Sequence, residues 1–324
     1  HWAATLDGHL KLEVLQQAVQ QLVQRHEALR TRFVAYGGEP LQLIMPQLEV
    51  PVRVERLTGA AAPRVKARVL ELIRQPFNLQ QGPLLRVHVL QVADDEAVLL
   101  LVMHHIVSDG WSMGVLFREL AVLYDAAVQG AGVRLPELPV QYADYAVWQQ
   151  QWLSGAELER QLNYWAGQLR DAPPLLELPL DHLRPPVQRY RGAWVHQTFS
   201  PELLAGLHEL AAREGCTLFM VLLAAFKLLV ARHTGIEDIV IGTPIAGRRR
   251  TELEGLIGFF LNTLALRTRL DGNPDCRALL QRVKATTLDA YDHQELPFEK
   301  LREALQPERS TAHTPVVQVM FNLH

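Results

Sequence analysis

The chain has 324 residues, 48% hydrophobic and 21% charged, a composition that suits a globular protein with a large core. A formal net charge of −3 offers no basic surface for nucleic acid or an anionic membrane. Two cysteines, Cys216 and Cys276, make no disulfide framework, lack a nucleophile's motif context and read as structural residues of a reducing cytoplasm. No signal peptide opens the chain and no apolar run reaches the length of a membrane span.

His1–Ala4 reads as a strand already under way, so the chain is expected to be cut from a longer polypeptide. Leu10–Phe33 is a predicted amphipathic helix with Leu12, Leu15, Val19, Leu22 and Leu29 on one stripe, its charged end feeding a strand. Gly37-Gly38-Glu39-Pro40 turns into a strand over Leu41–Met45, and Ala60–Ile73 is a second helix. Leu84–Val92 is a strand with one wetter face, and Asp94-Asp95-Glu96 turns it into the apolar run Ala97–Met103, a strand buried on both faces. Trp111–Val128 is helical. Prolines in Leu135–Pro139 make a linker, and a long helix runs from Tyr142 to about Leu169.

Asp171–Pro186 carries five prolines and reads as the lobe boundary. A strand over Gly192–Phe199 follows, then a helix started by Ser200 as N-cap and Pro201 at its first turn. Thr217–His233 is apolar almost all round and reads as a buried helix closed by Gly235. Strands are expected at Asp238–Gly242, at Phe259–Leu266 and over the terminal Val316–His324. The fold class is therefore α/β (α+β-like), with mixed helices and mostly antiparallel strands in both halves.

The chemistry is expected directly after Ala97–Met103, where a core strand runs into His104-His105-Ile106-Val107-Ser108-Asp109-Gly110. Neighbours in extended backbone point to opposite sides, so one histidine can face a reacting group while the other holds the scaffold. A His-His pair alone is most often structural, and zinc is disfavoured because no further Cys/His ligand spacing follows. Asp109 can cap the following helix or pair with a cation from elsewhere. Gly110 permits a backbone conformation or close approach that a side chain would block.

The phrase His104–Gly110 resembles the HHxxxDG motif of condensation domains of nonribosomal peptide synthetases, relatives of chloramphenicol acetyltransferase. Arg25–Phe33 is similar to the family's RHExLRTxF segment and Tyr142–Trp148 to its YxDYAxW. Thr243–Arg267 is similar to GxPxAGRxxxExExLIGFFxNTLxLR, and His293–Leu301 and Gln318–Phe321 to HQxLPFExLV and FQVxF. These ordered matches cover nearly the whole chain. The resemblance implies two acetyltransferase-like lobes in a V: an N-terminal lobe over 1–138, a bridging helix and Pro-rich crossover over 139–186, and a C-terminal lobe over 187–324. The family's SxxQxRLW-type N-terminal segment and its last strands are not matched, so the fragment alone is expected to be inactive and aggregation-prone.

By the same resemblance the reaction joins a donor aminoacyl or peptidyl thioester to the amine of an acceptor aminoacyl thioester. Both are carried on the 4'-phosphopantetheine of upstream and downstream carrier domains, with an adenylation domain in the same polypeptide, and no metal or bound cofactor is implied. Positioning two tethered reactants supplies up to ~7–11 kcal/mol in the best intramolecular cases, and a general base roughly 10²–10⁴-fold. His105 takes the central role, as a positioning group with partial base character, and Gly110 offers its N–H to the developing oxyanion. His104 is structural. Asp109 is expected to pair with Arg248 and tie the loop to the opposite lobe, although Arg248 can equally be a solvated neighbour of Arg249 and Arg250. Ser108, Trp111 and Asn262 are the substrate-binding candidates, Asn262 being also readable as a satisfied buried amide.

Three other functions compete: an epimerisation domain of the same family, a stand-alone acyltransferase using acyl-CoA, and an inert carrier-docking scaffold. The long Glu252–Arg267 segment speaks against epimerisation and the retained histidines against an inert scaffold. A heterocyclisation domain would carry an aspartate pair in place of His104-His105.

Overall fold

The computed structural model describes residues 1–189, 192–306 and 310–323. It divides into two compact units, His1–Gln151 with Arg248–Phe260, and Trp152–Gly247 with Leu261–His324. In the first unit, β1 (Trp2–Asp7) leads to α1 (Leu12–Arg25), which buries Leu15, Ala18, Val19, Leu22 and Val23 on one face. The predicted helix breaks at His26, whose backbone is extended (φ −101°, ψ 107°). A short 3₁₀ turn over Glu27–Arg30 then feeds β2 (Thr31–Tyr36), which pairs only with β3 (Glu39–Ile44) as an antiparallel hairpin.

The strands β4 (Val52–Arg56), β5 (Leu85–Gln91) and β6 (Glu96–Met103) complete a four-stranded sheet in the order β1-β6-β5-β4. Only β4 and β5 run parallel, and α2 (Ala62–Arg74) connects them. The alternation of β6 explains its unbroken apolar sequence. Ala97, Leu99 and Leu101 join the core beside α1, while Leu100 and Val102 pack on the other side with Leu72 of α2. Facing them across the first core is α3 (Gly110–Val128), through Val115, Leu116, Leu120 and Leu123.

The long helix expected from Tyr142 is two helices, α4 (Tyr142–Trp152) and α5 (Gly155–Leu169). Gly155 has φ +52°, a left-handed conformation that interrupts the helix at no steric cost to a residue without Cβ. In the second unit follow α6 (Pro201–Arg213), capped by the Ser200 hydroxyl, and α7 (Leu218–Thr234), closed by Gly235 at φ +73°. One side of α7 stays open at Leu228 and Leu229, so it is not buried all round. The strands β7 (Asp238–Ile245) and β8 (Asn262–Arg269) pair antiparallel, and α8 (Cys276–Asp292) and α9 (Phe298–Leu305) complete the unit.

Two expected strands are not formed. Residues 192–199 pair with no strand among the described residues, and Trp194 and Val195 remain 89% and 95% exposed. The expected terminal strand makes a single parallel bridge, Gly242 to Met320, and its last residue, His324, lies outside the described residues. Gly242 permits that approach, because a Cβ there would lie 2.4 Å from both Met320 Sδ and Val317 Cγ1. No single helix among the described residues is long and apolar enough to cross a membrane.

Candidate active site

The site is built from the end of β6. Register pairs Leu85 with Met103, and the His104 N–H donates to Leu84 O at 3.0 Å, so the sheet's hydrogen bonding reaches the first histidine. His104 Nδ1 accepts the Ile106 N–H at 3.0 Å. That bond fixes the ring proton of the neutral imidazole on Nε2. Burial, and then the nearby His105 charge, push the His104 pKa down, in keeping with a ring whose acceptor is in use. The ring stands edge-to-face against Phe77, with centroids 5.9 Å apart.

His105 begins a 3₁₀ turn over His105–Val107, and its side chain is exposed. The two neighbours thus part ways, one into the scaffold and one outward. The His105 ring meets Phe259 edge-to-face, with centroids 5.3 Å apart and planes at 89°. Ser108, expected to touch substrate, is buried, and its hydroxyl donates to His104 O at 3.4 Å.

Asp109 performs both roles the sequence left open. As N-cap of α3 its Oδ1 accepts the Ser112 N–H at 2.8 Å, and Arg248 Nη2 lies 3.2 Å from the same oxygen. Its Oδ2 accepts the Phe260 N–H at 3.0 Å. Both side chains of the pair are almost wholly removed from solvent. Arg248 belongs to the same compact unit as Asp109, and the pair ties the loop to the segment 248–260. Burial pushes the guanidinium's pKa down while the adjacent Asp109 carboxylate opposes it. Its Nη1 donates to Leu253 O and Leu256 O, and its Cζ lies 4.0 Å from the Phe260 ring centroid.

Gly110 is exposed as the first residue of α3, so its N–H stands outside the helix's own hydrogen-bond ladder. A Cβ there would meet no atom within 4 Å, so nothing within the chain demands glycine at this position. Trp111 is 47% exposed and donates its indole N–H to Glu254 O at 2.9 Å. Asn262 belongs to the second unit. Its Nδ2 donates to Gln294 O (2.9 Å) and Leu296 O (2.8 Å), and its Oδ1 accepts from Thr263 N and Phe298 N. An amide with both donors and both lone pairs engaged by the chain clamps residues 294–298 onto β8, the satisfied-amide arrangement that the sequence also allowed.

Sequence reasoning missed the node of the site. Ser112 Oγ accepts from Arg248 Nη2 (2.8 Å) and Gly258 N (3.1 Å), and lies 2.7 Å from Asp109 Oδ1 and 2.8 Å from Gly258 O. The available signal was spacing, since a serine three residues after a helix N-cap Asp lies beside it on the first turn. Tyr142, at the start of α4, donates its hydroxyl to Phe259 O at 2.9 Å, and burial pushes its pKa up to about 12. Two turns beyond Ser112, buried Glu119 accepts from His26 Nε2 (2.7 Å) and Arg25 Nε (3.2 Å), which fastens α3 to the end of α1. Burial alone would raise the Glu119 pKa, but the bonds and charges of His26 and Arg25 outweigh it and hold it down.

A family model for the condensation domain matches residues 2–324. The chain belongs to the condensation-domain family. This condensation domain is 50% identical over 326 residues to one of the proteins that make up the linear gramicidin synthase of Brevibacillus parabrevis, an alignment covering 99% of the chain and 4% of that protein. It is 30% identical, with a TM-score of 0.91, to the X-domain solved in complex with OxyB from teicoplanin biosynthesis, covering 98% of the chain and 70% of that one. A four-domain nonribosomal peptide synthetase bound to AMP and glycine matches 99% of the condensation domain over 24% of its own length, at 26% identity and a TM-score of 0.89.

Proposed function

We propose that this condensation domain forms an amide bond between a donor aminoacyl or peptidyl thioester and the amine of an acceptor aminoacyl thioester. Both acyl groups arrive on phosphopantetheine arms of upstream and downstream carrier domains, with an adenylation domain adjacent in the same polypeptide, in the cytoplasm. The amine nitrogen attacks the thioester carbonyl carbon, the C–N bond forms, and the C–S bond breaks. The proton lost by the amine ends on the departing sulfur, which leaves as a thiol.

His105 hydrogen-bonds the attacking amine, orients it and takes part of its proton. A thioester is already activated, so positioning carries more of the rate than base strength. The Gly110 N–H is the donor for the oxyanion, Trp111 borders the substrate, and His104, Asp109, Arg248 and Ser108 keep the loop rigid. The observation that carries this reading is an exposed imidazole on a loop whose other polar side chains are spent on the scaffold.

Mass spectrometry of the full-length protein given loaded donor and acceptor carriers tests it. A dipeptide on the acceptor carrier is expected. Comparable product from free acyl-CoA, with none on a carrier, would favour a stand-alone acyltransferase instead.

A further inference from the structure

Among the described residues, neither nitrogen of the exposed His105 ring has a hydrogen bond within the chain, so its orientation rests on packing. The packing partner is Phe259. Its backbone is the most firmly held stretch near the loop. Gly258 bonds Ser112 Oγ through both N and O, Phe259 O accepts from Tyr142, and Phe260 N donates to Asp109. The Phe260 ring is clamped under Arg248 and against Tyr142 at 5.1 Å and Tyr145 at 4.8 Å. Only glycine fits at 258, since a Cβ would lie 2.3 Å from Tyr142 Cδ2.

All this fixes a side chain that contributes to none of the apolar clusters of its unit. Phe259 is half-buried between two buried neighbours, and its ring stands against His105. A strap this constrained, presenting a ring to an imidazole and not to a core, is built to aim the imidazole.

We propose that Phe259 is a positioning residue for His105: carried on the strap 258–260, its ring sets the plane in which the imidazole meets the acceptor amine. This rests on the role of His105 given above. Serving as a wall, it holds the ring in one rotamer before substrate arrives, so the cost of ordering it is met during folding.

The test compares Phe259→Ala, Phe259→Leu and Phe259→Tyr in the full-length protein by two readouts. In the first, the alanine and leucine variants lower kcat for carrier-bound dipeptide by roughly 10–100-fold with acceptor KM near the wild-type value. The tyrosine variant, which keeps a flat ring, restores kcat. In the second, carbethoxylation of His105 by diethyl pyrocarbonate, located by peptide mass spectrometry, accelerates severalfold in the alanine variant and returns to the wild-type rate in the tyrosine variant. Wild-type kcat in Phe259→Leu, or a change confined to KM, overturns the proposal. Should His105→Ala itself keep wild-type turnover, the role of His105 fails separately, and an unchanged carbethoxylation rate then sinks the Phe259 proposal on its own.

Discussion

Asp109 shows how much one carboxylate can hold: a helix cap, a buried guanidinium and the amide of Phe260 converge on its two oxygens. Removing one partner of a buried pair leaves the other charged and unpaired, a loss of roughly 3–5 kcal/mol. Asp109→Ala should lower stability by that order in denaturant titration, and Asp109→Asn, which keeps a capping oxygen, by less. An unchanged midpoint in Asp109→Ala would contradict the network. At this scale the motif made His105, Asp109 and Arg248 legible as a group. Ser112 offered only its place three residues after Asp109, while its bonds to Gly258, 146 residues on, and the ring contact of Phe259 with His105 join stretches that no local pattern connects. Asn262 was legible as a polar residue in a strand, but which acceptors occupied its amide depended on a loop some 32 residues on.

The elements that carry the site have their own tests. The strap depends on Gly258, and overpacking against a ring typically costs about 1–3 kcal/mol. Gly258→Ala should therefore lower the melting temperature and dipeptide formation together, and an unaltered melting temperature would show the strap to be looser than described. In β5, buried His88 has its pKa lowered to about 4 by burial and then by the charges of Arg53, Arg86 and Arg68. The unfolded chain takes up a proton near 6.5 that the folded chain refuses until about pH 4. Stability is therefore full above pH 6.5 and falls on acidification through that window, by on the order of 3 kcal/mol. His88→Leu should flatten denaturant midpoints between pH 6.5 and 4; an equally steep variant would place the acid lability elsewhere.

Elements were legible where periodicity met a clear stop. The double-faced burial of β6 followed from its unbroken apolar run, and the Ser200 cap from the Ser-Pro-Glu start. The break at His26 was not: the ring there bonds Glu119, 93 residues along the chain, a contact that no local pattern announces. The strand expected over 192–199 found no partner edge among the described residues. Strand propensity is a statement about packing, and without a neighbour it decides nothing.

Across the whole molecule, the ordered run of motifs made the family legible, since long matches over most of the chain constrain a fold far more than any one pattern. Lys227, fully buried on α7, carries no such signal. Its Nζ donates to Leu266 O (2.8 Å) and Thr268 Oγ1 (2.7 Å), and burial lowers its pKa to about 7 against the opposing charge of Asp238. Between pH 7 and its ordinary value the unfolded chain holds a proton the folded chain lacks, so stability climbs as pH rises through that range. Lys227→Met should level the climb between pH 7 and 9.5, and an unchanged slope would mean the amine stays charged when folded. The proposed reaction turns on a single exposed ring. Its most direct measurement is the rate at which full-length protein bearing His105→Ala transfers a donor acyl group to a loaded acceptor carrier. The rate is predicted to fall by at least about 100-fold with an unchanged melting temperature, and a wild-type rate would contradict the role given to His105.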